Sequence, residues 1–228
     1  VEHVSGKELS ALREKLKKYF KPFYLKTDSA HRLDHIDSVM SNAIRICHLM
    51  EWQEHLPLAI VAIGIHDIYS TTELRSRHHI LAFNWVYDNA AVLEHKFGLT
   101  KKDIEIVAYA VLEHRGSYTG ANYNGIISEI VAAADRGIPS TDEVGNYLGR
   151  SYLYARSHGK SSTDAKFHSI THIQEKFGRN GYGRVPEWYG KLFAERLAKR
   201  LELIESLDIS YYTPEFTAEL EAKYEATL

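Results

Sequence analysis

The chain has 228 residues, with 28 Lys and Arg against 30 Asp and Glu, 44% hydrophobic and 25% charged residues. That is the make-up of an ordinary globular protein, and it excludes collagenous, largely disordered and membrane-spanning classes. A formal charge of −2 with no basic run carries no nucleic-acid or membrane-surface signature, so any recognition of phosphate must be local.

Apolar residues recur at three- and four-residue spacing and no run alternates with period 2, which predicts an all-α fold. The first helix opens at Ser5 with Glu8 three residues on, a capping-box pattern, and is expected to stop near Lys21-Pro22. A second begins at Asp28 or Ser29 and repeats Ile36, Val39, Met40, Ala43, Ile44 and Cys47 on one face. From Leu56 to Ile68 the chain is apolar on every side, which predicts a central helix, and its last residues include His66-Asp67. The pattern then gives a helix from about Leu74 to Phe97, stopped by Gly98, one from Thr100 to His114-Arg115-Gly116, and one from Ile126 to Asp135-Arg136, stopped by Gly137.

Beyond Gly137 follow a Tyr-rich helix near Val144 to Ser157, a helix from about Thr163 to Phe177 and a Gly/Arg loop over 178–184. Pro186 opens a long helix to about Ser206, and Thr213-Pro214 caps a last one. No linker interrupts the series, so one domain over residues 1–228 is expected, with a core of about 28–137 and a helical extension of about 138–228. The lone Cys47 excludes an intrachain disulfide, and the opening Val1-Glu2-His3 lacks a secretion-type start, so the expected setting is reducing and cytoplasmic.

Thirteen histidines against two Met and one Cys direct attention to imidazole chemistry, either metal ligation or acid/base work. Asp67 ends a fully apolar helix, where a carboxylate is costly to bury without a cation or hydrogen-bond donors. His114 follows Val107, Ala108, Val111 and Leu112, and Asp135 follows Ile130 to Ala134, the same arrangement twice more. His35 lies one turn after His31, which reads as a boundary residue. His78 and His79 are adjacent, and neighbours on a helix point about 100° apart, so only one of them is expected to face inward. Taken singly, each is a satisfied boundary residue. In order, His35, His66-Asp67, His78, His114 and Asp135 are nitrogens and carboxylates offered by five helices, which packing does not explain.

This ordered set resembles the HD superfamily of metal-dependent phosphohydrolases. The matching segments are Ala30 to Val39 around His35, with Ser38 where the family usually has Arg, then Ile63-Gly64-Ile65-His66-Asp67-Ile68, His78, Val111-Leu112-Glu113-His114, and Ala133-Ala134-Asp135-Arg136. The resemblance spans His31 to Arg136. It implies a compact helical bundle in which His35, His66, Asp67 and Asp135 bind one metal, while His78 and His114, with Asp67 bridging, complete a second. His66, Asp67, His78 and His114 would then also be the catalytic positions. Imidazoles and carboxylates without thiolate suit Fe, Mn, Zn, Ni or Co.

The reaction so implied is hydrolysis of a phosphoester or phosphoanhydride of a small phosphorylated molecule, a nucleotide above all, by a metal-activated hydroxide. Related six-ligand sites activate O₂, so a di-iron oxygenase is the alternative, and a metal-binding module without catalysis is the third reading. A homo-oligomer stays open. Candidate substrate-binding donors are Arg75, Arg77, Arg115 and Arg136. His172 and Lys176 join them, because with His168 they form a cationic stripe at four-residue spacing beside the loop arginines Arg179 and Arg184. Tyr147, Tyr152, Tyr154, Tyr182 and Tyr189 could stack on a base, although packing accounts for most of the 15 tyrosines.

Overall fold

The computed structural model describes residues 5–27, 33–71, 73–118 and 122–226, and every regular element among them is helical. They hold twelve α-helices and two short 3-10 turns with no strand, so the all-α expectation is met. No helix among the described residues is long and apolar enough to cross a membrane. The chain divides into two compact units, Val1–Ile138 with Arg184–Tyr189, and Pro139–Gly183 with Gly190–Leu228.

In the first unit α1 (Gly6–Tyr24) starts on the expected box, with Ser5 and Glu8 satisfying each other's backbone N–H. It runs through Pro22 instead of stopping there. Proline removes one N–H donor, but tertiary contacts hold the last turn: Phe20 and Tyr24 are buried, and Tyr24 OH donates to the Gly64 carbonyl at 3.0 Å. The expected start of the second helix, at Asp28 or Ser29, lies outside the described residues, as does His31. Within α2 (Leu33–Leu49) the buried face takes Ile46 in place of Ile44 and otherwise follows the expected stripe.

Helix α3 (Leu56–Ile65) packs against α1, α2, α6 and α7, so it needs no polar face and its sequence has none. Its apolar residues are almost all buried, each large one contributing roughly 1.5–3 kcal/mol of transfer free energy. Gly64 lets α1 approach, since a Cβ there would lie 3.2 Å from Leu16 Cδ2. The helix ends three residues before the expected Ile68. From Ile65 onward the bonds tighten to three-residue spacing, with Ile68 N–H donating to Ile65 O and Ser70 N–H to Asp67 O.

The helix expected over Leu74 to Phe97 is two helices, α4 (His78–Asp88) and α5 (Ala90–Phe97), preceded by turns. Asn89 breaks it at φ −112° and ψ 21°, with its side-chain amide donating to the Trp85 carbonyl at 2.9 Å, a local bond that competes with the helical one. Gly98 caps α5 at φ 72°, in the left-handed region. Helix α6 (Lys101–Glu113) opens on a Thr100–Asp103 box, and α7 (Ile126–Arg136) ends at Gly137.

In the second unit α8 (Glu143–Ser157) packs on α9 (Ser162–Phe177) and on α12 (Pro214–Glu225), and α9 packs on α11 (Ala194–Glu205). Their core includes Val144, Leu148, Tyr152, Ile173 and Ile204. Ser161, not Thr163, marks the start of α9, its Oγ accepting the Asp164 N–H at 3.1 Å. The helix expected from Pro186 to Ser206 is interrupted at Phe193, which buries its ring at the break between α11 and α10 (Glu187–Leu192), the first three residues of α10 being counted with the first unit.

Candidate metal centre

Three helix C-termini and two helix starts of the first unit converge on one point. His66 is the residue after α3 and Asp67 follows in the turn, His114 is the residue after α6, and Asp135 is the penultimate residue of α7. His35 lies in the first turn of α2, and His78 is the first residue of α4. Each apolar helix delivers its ionisable end into the interior: His66, Asp67, His78 and His114 are all at most 6% exposed.

Asp67 is the hub. Its Oδ2 lies 3.2 Å from His66 Nε2 and 3.5 Å from His35 Nε2, while its Oδ1 lies 3.2 Å from His78 Nε2 and 3.5 Å from His114 Nε2. Asp135 Oδ1 closes the first pair at 3.3 Å from His35 Nε2 and 3.8 Å from His66 Nε2. One carboxylate thus faces four imidazoles, two on each oxygen.

The tautomers follow from the backbone. His66, His78 and His114 each place Nδ1 against the carbonyl three residues earlier, at 2.7, 2.7 and 2.6 Å from Ile63, Arg75 and Val111. A carbonyl only accepts, so Nδ1 carries the hydrogen and the neutral ring presents a bare lone pair at Nε2. His78 Nε2 and His114 Nε2 nevertheless stand 3.1 Å apart. Two lone pairs at that distance repel unless a cation lies with them.

His66 Nε2 is likewise buried, and its polar neighbours, Asp67 Oδ2 at 3.2 Å and Asp135 Oδ1 at 3.8 Å, stand outside hydrogen-bond geometry. Metal–ligand bonds of about 2.0–2.2 Å place neighbouring donors roughly 3–3.5 Å apart, which is the spacing of these nitrogens and oxygens. The groups His35, His66, Asp135 and His66, Asp67, His114 each bring their ligand atoms within 4.8 Å of one another and could hold an ion. Tethering of Nδ1 to a carbonyl also matches what metal-binding imidazoles require of their surroundings.

Without an ion, protons carry the positive charge. Burial opposes protonation of His35, but hydrogen bonds to Asp135 and then Asp67 outweigh it and raise its pKa to about 9. Burial likewise opposes protonation of His66, yet the charge of Asp67 and the nearby Asp135 carboxylate lift it to about 10. Burial would raise Asp135, but His35 and His66 hold it well below the carboxylate range. Burial pushes His114 down, against its bond to Asp67.

His78 and His79 are both buried, where only one was expected to face inward. His78 turns to Asp67 and His114, whereas His79 packs edge-on against His78 and Tyr118. Burial, then the charge of its neighbour His78, lowers His79 to about 4. Glu113 is a buried acid that patterning did not single out; its Oε2 accepts the Asn124 N–H at 2.7 Å. Its place directly before His114 was the available signal.

Among the candidate donors, Arg75 and Arg77 are exposed in the turn before α4, and Arg115 donates to the Ser76 carbonyl. His172 and Lys176 lie on α9 of the second unit, with the His172 and His168 rings parallel and 6.2 Å apart. The two loop arginines part company: Arg179 pairs with Glu205 in the second unit, while Arg184 belongs to the first and covers the Tyr123 ring. Tyr147 stacks on Phe177, and Tyr152 and Tyr189 are buried and hydrogen-bonded, which is packing; Tyr154 and Tyr182 are exposed. Compared with protein-family models, curated proteins and solved structures, the chain has no match.

Proposed function

We propose that the first unit is a metal-dependent phosphohydrolase centre of the HD type, cleaving a phosphoester or phosphoanhydride of a nucleotide-like substrate. The observation that carries this reading is the hub geometry of Asp67, whose two oxygens each face two Nε2 atoms in a buried site. His35, His66, Asp67 and Asp135 would hold one divalent ion, and His78 and His114, sharing Asp67, a second. Such an ion supplies Lewis acidity, lowering the pKa of a coordinated water and polarising a phosphoryl oxygen.

The protein's own part is preorganisation. The carbonyls of Ile63, Arg75 and Val111 hold the Nδ1 hydrogen of three imidazoles and leave Nε2 as the atom turned to the site, so no ring rotation is needed. The apolar walls of α3 and α7 keep bulk water from the buried side of the carboxylates and strengthen their field. His35 and His66, raised to about 9 and about 10, would hold an ion only as deprotonated imidazoles, so protons would compete with it for both.

Metal analysis of the purified protein, followed by a phosphate-release screen across nucleotides with Mn, Co, Ni and Fe added back, tests the reading. Bound transition metal together with metal-dependent phosphate release is expected. A metal-free protein that gains no activity with any of these ions, or oxygen consumption without phosphate release, refutes it.

A further inference from the structure

Gly116, two residues after His114, is where two arginines from distant parts of the chain meet. Arg136, next to Asp135, lays its guanidinium over the Gly116 backbone so closely that a Cβ there would fall 1.8 Å from Arg136 Nη2 and 2.4 Å from Cζ. Only glycine leaves that space. Arg184 donates its backbone N–H to the Gly116 carbonyl at 3.0 Å and sets its guanidinium 3.8 Å from the centre of the Tyr123 ring. Both arginine charges reach Tyr123, and that of Arg136 also reaches Asp135.

The acids in the same neighbourhood are committed elsewhere. Glu113 accepts the Asn124 backbone N–H, and Glu129 accepts the Trp188 indole N–H at 2.6 Å. Arg136 Nε is buried and has no hydrogen-bond partner among the described residues. A guanidinium donor withdrawn from water without an acceptor is costly, and an arriving anion removes that cost. The planar fork of arginine suits phosphate in particular, provided its orientation is fixed. Here the guanidinium lies against the Gly116 backbone, next to a carboxylate of the candidate metal centre.

We infer that Arg136, seated in the gap left by Gly116, binds a phosphoryl oxygen of the substrate, with Arg184 on Tyr123 forming the facing wall of the same subsite. This rests on the phosphohydrolase reading and adds to it a specificity-determining position, Gly116, that touches neither metal nor substrate.

The test uses inorganic phosphate as the probe, titrated calorimetrically into the metal-loaded full chain, with metal content and Tm measured alongside. Arg136→Gln removes the charge. Gly116→Ala keeps every charge and candidate ligand but displaces the guanidinium, and because the clash is with the tip of a flexible side chain, stability should barely change. Both variants should bind phosphate at least about tenfold more weakly, with metal content and Tm unchanged, and Arg136→Lys should restore only part of the loss. With any nucleotide the wild type hydrolyses, the loss should appear in KM rather than kcat.

Unchanged phosphate affinity in both variants, in a wild type that binds metal and hydrolyses nucleotides, overturns the subsite and leaves the phosphohydrolase reading standing. A wild type with no hydrolysis, whose phosphate binding still collapses in both variants, supports the anion subsite while the hydrolase reading fails. Loss of metal along with phosphate in Gly116→Ala would make the glycine a support for His114 and overturn the proposal.

Discussion

Asp67→Asn exchanges one oxygen for an amide and leaves the shape of the side chain intact, so its effect isolates the charge at the hub. In the wild type that charge faces four Nε2 atoms between 3.2 and 3.5 Å away, at a residue only 2% exposed. Breaking a buried ion pair by removing one partner costs about 3–5 kcal/mol. At about 2–4 °C per kcal/mol for a chain of this size, the metal-free variant should melt ~6–20 °C lower.

The pH dependence identifies the cause. His35 and His66 are raised from 6.5 to about 9 and about 10 in the folded protein. A raised pKa gives stability that is fully present below about pH 6.5 and is lost as pH rises through the folded values. Asp67→Asn withdraws one of the two carboxylates responsible, so the gap between wild type and variant should be widest near pH 6 and narrow toward pH 10. Thermal denaturation of chelator-treated protein across that range measures it, and mass-spectrometric metal analysis at pH 7.5 should show loss of bound ion. An equal gap at pH 6 and pH 10, or wild-type metal content in the variant, would refute the role assigned to Asp67.

Three further outcomes follow from other parts of the molecule. His78→Ala and His114→Ala should each lower metal content from two ions per chain to one while sparing the ion at His35, His66 and Asp135; content equal to wild type means that the centre takes a single ion. Gly98→Ala adds a Cβ that meets nothing within 4 Å, so its cost is the φ of 72° alone, about 1–2 kcal/mol, seen as a lower urea midpoint at constant m; an unmoved midpoint contradicts it. In the second unit, burial would raise Glu221, but Tyr152 and Arg156 outweigh it and hold its pKa below 4.5. That stability is present above pH 4.5 and lost as pH falls through the folded value, so Glu221→Gln should be destabilised against wild type at pH 6 and indistinguishable from it near pH 2.

The helical class and many of the helix ends are legible in the amino-acid order, because those are local. Three- and four-residue periodicity needs only neighbouring side chains, Ser5 with Glu8 and Thr100 with Asp103 cap through atoms three residues apart, and Gly98 stops α5 through its own φ. The amino-acid order also shows that α3 is central, since a helix with no polar face must be surrounded. Where patterning failed, long-range contacts or side-chain competition decided: Tyr24 bonded to Gly64 carries α1 past Pro22, Asn89 splits α4 from α5, and both His78 and His79 are buried.

For the candidate site, the residues that end apolar helices were visible in sequence because buried ionisable groups there need a partner. Their mutual arrangement was not. That Asp67 gives one oxygen to His35 and His66 and the other to His78 and His114 depends on how five helices pack, and that Arg136 rests on Gly116 beside Arg184 joins three separate stretches of the chain. Such contacts leave no trace in local spacing, because they are set by the free energy of burying whole helices and not by the residues that happen to meet. Tertiary structure alone turned a series of histidines and carboxylates into a hub with two sides.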